Sequence, residues 1–126
     1  MSLASRLTRT PLPFDPARGA DVAARYGDFP PEIRGVIAGT AGCSPYLAGR
    51  LEREAEWLRA ALSGPIEAAF AAEIARLQEV ALEALGAELR RAKRRLALLI
   101  ALADLGGAWS LEQVTGALTT LAETAV

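Results

Sequence analysis

The sequence predicts an all-α fold: one helical domain of about six helices, one of them long and partly buried. Three observations carry that expectation. Ala occurs 27 times and Leu 19 times, against ten Val and Ile together; Ala and Leu lose little freedom in a helix, whereas strands favour β-branched residues. No stretch alternates strictly between apolar and polar residues, and apolar positions instead recur at three- and four-residue spacing. At 126 residues, with 52% hydrophobic and 23% charged, the chain has the length of one domain and the means to build a core.

Residues 1–20 read as an extended arm, because Pro11, Pro13 and Pro16 each fix φ and remove a donor. Phe14 is the residue expected to pin that arm to the body. The helical domain is expected over 21–126. Asp21 is placed to cap a short helix through Tyr26, stopped at Gly27. Pro30 and Pro31 open the next, with Glu32 in its first turn, where a carboxylate meets the positive helix end. Ile33, Val36 and Ile37 share a face, and Gly39 and Gly42 flank an expected break.

Ser44-Pro45 is a helix start: a hydroxyl N-cap followed by Pro at the first helical position. Tyr46, Leu47 and Leu51 form the inward stripe, continued by Trp57, Leu58, Ala61 and Leu62. This stretch is either one helix or two with a bend near Glu54. Pro65 opens a long helix whose apolar stripe is Ile66, Phe70, Ile74, Leu77, Ala81 and Leu85, with a break or kink expected at Gly86. From about Ala87 to Leu105, the residues Leu89, Ala92, Leu96, Leu99, Ile100 and Ala103 fall on one side at about 100° per residue. Arg90, Arg91, Lys93, Arg94 and Arg95 occupy the other. Beyond Arg95 the polar face disappears, as in a helix that runs into a core. Gly106-Gly107 stops it. Ser110 and Gln113 form a capping box for a last helix, whose stripe is Leu111, Val114, Leu118, Leu121 and Ala125. That stripe needs a partner surface, and the absence of a stop signal before Val126 predicts that the natural chain continues.

Composition narrows function mainly by exclusion. The chain has no histidine, so neither a His-based triad nor a histidine metal site is available. Cys43 is the single cysteine; it has no partner within the chain for a disulfide and fits a reducing compartment, and the expected location is the cytoplasm. A thiolate would be favoured beside a helix start, yet without a histidine base Cys43 reads as a small apolar filler. The net charge of −1 gives no global electrostatic case for nucleic acid or an anionic membrane. The longest apolar run, Leu96–Ala103, falls far short of the roughly 20 residues of a membrane span.

No phosphate loop or dinucleotide fingerprint is present. Asp15, Asp21, Asp28 and Asp104 are too dispersed to pair on Mg²⁺. Glu52, Glu54 and Glu56 read as a solvated helix face, and Trp57 and Trp109 as core or seam residues. No catalytic, cofactor or metal residue is therefore assigned. Five charged residues stand out as candidates for interaction or structural pairing. Arg90, Arg91, Arg94 and Arg95 either bind phosphate, RNA or an acidic protein face, or pair with Glu83, Glu88 or another helix. They lack the interleaved aromatics that stack bases. Asp104 sits at a helix C-terminus, where the macrodipole disfavours a carboxylate; it is either exposed or paired with an arginine from elsewhere.

Two stretches together carry a resemblance. One is Gly39-Thr-Ala-Gly-Cys-Ser-Pro-Tyr-Leu-Ala, continuing through Leu51, Glu52, Glu54, Ala55, Glu56, Trp57 and Leu58. The other runs from Leu89 through Asp104, Leu105 and the two glycines to Trp109, Leu111, Glu112 and Val114–Val126. They resemble the N-terminal region of the glutamine synthetase adenylyltransferase family, whose G-x-S-x-[FY]-L and L-R-R-x-[KR]…D-L patterns match Gly42 to Leu47 and Leu89 to Leu105. The resemblance implies a bifunctional bacterial enzyme of nitrogen regulation. Such an enzyme moves AMP from ATP to a tyrosine of glutamine synthetase and removes it by phosphorolysis, under the bias of PII-type signalling proteins. It also implies nucleotidyltransferase domains that use a Gly-Ser stretch, paired aspartates and Mg²⁺. This chain has no Gly-Ser and no Asp-x-Asp. The resemblance therefore implies a non-catalytic helical lead-in, with no cofactor of its own, that packs against a downstream catalytic domain. The rival expectation is a stand-alone interaction module that dimerises through its last helix.

Overall fold

The computed structural model describes residues 3–124, and every regular element among them is helical. Eight α-helices follow one another: α1 (Leu3–Arg6), α2 (Pro16–Ala23), α3 (Pro31–Cys43), α4 (Pro45–Arg53), α5 (Ala55–Leu62), α6 (Ile66–Gln78), α7 (Leu85–Leu105) and α8 (Leu111–Thr124). Single 3-10 turns extend α2 over Ala24–Tyr26 and lead into α7 over Leu82–Ala84.

The arm is shorter than its prolines suggest. Leu3–Arg6 is helical and Leu3 is buried. Pro16 begins α2 rather than prolonging the arm, since its fixed φ suits the first helical position. The cap is Asp15, not Asp21: Asp15 accepts from the Arg18 backbone N–H at 3.1 Å. Only 7–15 is non-helical, and it is tied down through its backbone. Thr8 and Arg9 N–H groups donate to the Gly106 carbonyl at 2.8 and 3.1 Å, and Asp15 N–H donates to that of Gly42 at 2.8 Å. Phe14 pins nothing and stands in solvent.

Gly39 and Gly42 do not break α3, which runs through both to Cys43. Their role is tertiary. A Cβ at Gly39 would overlap Pro11, and one at Gly42 would overlap Pro13, so the arm lies directly on the glycine face of the helix. Gly19 likewise lets α2 meet the backbone of α3 at Ala38. Cys43 is exposed rather than a core filler, and its thiol donates to the Leu12 carbonyl at 2.9 Å.

Ser44 caps α4 by accepting from Leu47 N–H at 3.2 Å. The chain bends at Glu54, which separates α4 from α5. Leu51, Leu58 and Leu62 point inward, whereas Tyr46 is exposed and Ala48 takes the buried place in the first turns of α4. The next break falls before Leu82, not at Gly86, which lies inside α7. Glu79 ends α6 and Ala81 is extended, so the chain turns back there and α7 packs on α6. Gly86 meets nothing closer than the Arg90 side chain; the packing of α7 outweighs the roughly 1 kcal/mol that a helical glycine costs.

α7 enters the core as its sequence predicts. Ala92, Leu96, Leu98, Leu99, Ile100, Leu102 and Ala103 are buried, joining Val22, Tyr26, Ile33, Val36 and Ile37 in one cluster. The Tyr26 hydroxyl donates to the Leu51 carbonyl at 2.6 Å, and burial pushes this phenol well above its ordinary range. Gly107, with φ of 69°, ends the run in the left-handed conformation that suits glycine. The capping box forms in both directions: Gln113 N–H donates to Ser110 Oγ at 3.2 Å and Ser110 N–H to Gln113 Oε1 at 2.8 Å. Of the expected α8 stripe, Val114 is buried and Leu118 is 50% exposed. Ala125 and the side chains of Leu111 and Leu121 lie outside the described residues. Among the described residues no helix is long and apolar enough to cross a membrane.

Candidate functional site

The most structured polar feature is where α5, α6 and α7 meet. Arg95, one turn before the fully buried half of α7, turns back towards α5. Its Nε donates to Glu54 Oε2 at 2.6 Å, and its guanidinium lies over the Trp57 ring at 5.1 Å. Its Nη1 is 3.8 Å from Glu73 Oε1. Arg76 on α6 completes the array, donating to Glu73 and to Glu88, each at 2.6 Å. Glu88 in turn stands 3.8 Å from Arg91. Carboxylates and guanidiniums thus alternate from the α4–α5 bend to the start of α7.

Electrostatics follow the geometry. Its hydrogen bonds to the Glu73 and Glu88 carboxylates, which accept from it, raise the Arg76 guanidinium above its usual range. The hydrogen bond from Arg76 holds Glu88 below the usual carboxylate range, with a further contribution from Arg91. Glu73 is only 4% exposed; a carboxylate this deep requires paired, hydrogen-bonded charge.

Beside this array lies a cleft of about 480 Å³ with small-residue walls. Trp57, Ala60, Ala61, Pro65, Ala68 and Ala72 line it together with Glu73, Arg76 and Arg95. Each of these carboxylates already faces a guanidinium, so none stands ready as a base. The array links the α4–α5 bend to α6 and α7. Among the described residues no group of three or more His, Cys, Asp or Glu side chains could hold a metal ion.

The five charges singled out by sequence are thereby divided. Arg95 pairs with another element, and Arg91 pairs within its own helix at Glu88. Arg90 is exposed and Arg94 is partly buried, so the cluster is not one surface. The Asp104 carboxylate is half exposed and lies 3.7 Å from Arg9. Arg9 also donates to the Asp104 and Leu105 carbonyls at 2.6 and 3.3 Å, so it closes the negative end of α7. Glu54 is not solvated as expected; its side chain is largely buried on Arg95. Glu73 was missed, though its signal was present: it lies on the face of α6 that carries Ile66, Phe70 and Leu77. A second cross-link ties α1 and the α7–α8 turn to α6. Glu67 accepts from Arg6 at 2.6 Å and from the Trp109 indole at 3.0 Å. Burial alone would raise the Glu67 carboxyl; these bonds and one from its own backbone outweigh it and hold the carboxyl low.

The sequence profile of the glutamate-ammonia ligase adenylyltransferase family matches residues 35–126, which includes every member of the charged array. The chain belongs to this family. Relatives that bear the name bifunctional glutamine synthetase adenylyltransferase/adenylyl-removing enzyme extend the match. That of Caulobacter vibrioides is 41% identical over 109 residues, which is 81% of this chain and 11% of the relative. That of Bradyrhizobium sp. strain BTAi1 is 36% identical over 126 residues, 96% of this chain and 13% of the relative. That of Xanthobacter autotrophicus is 41% identical over 100 residues, 76% and 10% respectively. The chain therefore spans only a small part of the length of these adenylyltransferases. No solved structure matches it.

Proposed function

We propose that this chain serves as a non-catalytic helical segment of an enzyme that adenylylates and deadenylylates glutamine synthetase. The match to the adenylyltransferase family over residues 35–126 carries the reading. The lack of Gly-Ser and Asp-x-Asp in the sequence supports the non-catalytic part of it. On this reading ATP and Mg²⁺ act in the rest of the enzyme, the acceptor is a glutamine synthetase tyrosine, and PII-type proteins bias the two directions in the cytoplasm. The exposed side of α8 around Leu118 packs against the catalytic domain.

The test is a pair of assays on this chain. One supplies glutamine synthetase, ATP and Mg²⁺; the other supplies adenylylated glutamine synthetase and phosphate. No AMP transfer and no phosphorolysis are expected, and turnover in either direction overturns the reading. The half-exposed Leu118 also favours a second account, a free-standing module that dimerises through α8. Light scattering separates the two: a molar mass that rises with concentration supports the module.

A further inference from the structure

Three of the most exposed large apolar side chains stand on the two chain segments that flank Cys43. Leu12 is 86% exposed, Phe14 91% and Tyr46 62%. Leu12 and Phe14 belong to the arm where it crosses the C-terminal end of α3, and Tyr46 opens α4 immediately beyond Cys43.

Their exposure follows from the backbone. An extended chain points successive side chains to opposite sides. Pro11 and Pro13 face inward, against the positions where a Cβ on Gly39 or Gly42 would stand. Leu12 and Phe14 must then face out. The backbone between them is fixed: the Cys43 thiol holds the Leu12 carbonyl at 2.9 Å, and Asp15 N–H holds that of Gly42 at 2.8 Å. Arg18 locks the same corner, donating to the Ala41 and Gly42 carbonyls at 2.8 and 2.9 Å. Two anchor side chains are thus presented on a pre-ordered segment, which lowers the entropy lost on docking.

The area argues for the occupant. Side chains of this size offer on the order of 500 Å² together, a patch large enough to mark an interaction site. Two copies facing each other through it would bury about 1,000 Å², below the roughly 1,600 Å² of a standard stable interface. A tethered partner needs less, because its effective concentration is already in the millimolar range. The relatives carry most of their length outside the stretch matched here. Charge adds a condition: Arg50 lies 5.9 Å from the centre of the Tyr46 ring and has no ion-pair partner among the described residues.

We infer that the Leu12–Phe14–Tyr46 corner docks an apolar face of the longer polypeptide to which this segment belongs, with a carboxylate of that face set against Arg50. The inference rests on the proposed segment role.

The test uses the full gene product and hydroxyl-radical footprinting of its side chains. With a tether in the millimolar range and an intrinsic affinity of about 0.1 mM, the patch is open about a tenth of the time. Phe14 should then be modified roughly tenfold more slowly than in the same protein unfolded in urea. The double variant L12S/F14S should release Tyr46 to faster modification. Phe14 reacting at the unfolded rate overturns the inference, as does a Tyr46 rate unmoved by the variant. Protection that grows with protein concentration identifies a second copy as the occupant and also overturns it. The intact mass of the same sample keeps the two ideas apart. A long product with an unprotected corner sinks the docking surface alone, while a product ending at Val126 removes the segment role and the inference with it.

Discussion

Arg95 shows how much one side chain binds together. It reaches Glu54 at the α4–α5 bend, Glu73 on α6 and the face of Trp57, while its own helix enters the core. Its side chain and that of Glu54 are 18% and 13% exposed, so removing either leaves a charge largely cut off from water. Arg95→Ala should cost about 2–4 kcal/mol in urea unfolding. Glu54→Gln should cost less, because the amide still accepts a hydrogen bond. Thr40 is a residue of the opposite kind. It is fully buried in α3, and its hydroxyl has no hydrogen-bond partner among the described residues. Replacing an unpartnered buried hydroxyl by a methyl group of the same shape removes a desolvation penalty. Thr40→Val should therefore raise stability by about 1 kcal/mol in the same measurement.

At the scale of elements, the terminal arm and α3 form one unit. The glycines that look like helix breakers are the contact surface on which Pro11 and Pro13 rest. Gly39→Ala should leave α3 helical, since alanine is the better helix former, but it should displace the arm. The expected cost is about 1–3 kcal/mol, the range for overpacking a close contact. Faster amide exchange at Thr8, Arg9 and Asp15, whose N–H groups hold the arm, would locate the damage. A loss of stability without that local exchange would contradict the account. The turn between α7 and α8 depends on a different glycine property. Gly107 has positive φ and would also meet Thr8 if it carried a Cβ. Gly107→Ala should thus destabilise through both strain and contact, by at least the roughly 1 kcal/mol of a left-handed alanine.

The whole molecule is held by cross-links between distant parts of the chain as well as by its core. Glu67 receives Arg6 and Trp109, Glu88 receives Arg76, and Asp28 receives Arg59 at 2.7 Å. The carboxyls of all three are depressed: Glu67 against its burial, by Arg6, its own backbone and Trp109, and Glu88 and Asp28 chiefly by their arginine hydrogen bonds. A depressed folded value means that the unfolded state takes up protons first as pH falls. Their contribution is complete above the ordinary glutamate value of 4.5 and is lost as pH drops through the lower folded values. Urea midpoints should be nearly flat from about pH 7 to about pH 5 and should fall below that. Glu67→Gln together with Glu88→Gln should flatten the fall; an unchanged acid slope would show that these bridges do not set it.

Much of this was legible locally. Helix class, the Ser44-Pro45 and Ser110–Gln113 starts, the Gly106-Gly107 stop and the buried half of α7 follow from propensity, capping and periodicity within a few residues. Two sequence stretches also carry a resemblance to the adenylyltransferase family. What remained hidden was decided by contacts between residues far apart in sequence. Gly39 and Gly42 have one meaning inside a lone helix and another beneath Pro11 and Pro13. Phe14 reads as an anchor until the inward prolines turn it out, and Glu54 reads as solvated until Arg95 arrives from α7. The sequence determined the helical class and most of the helix starts and stops, because capping and backbone preference act over a few residues. Tertiary structure alone decided which side chains those elements bury, because burial depends on what the rest of the chain brings against them.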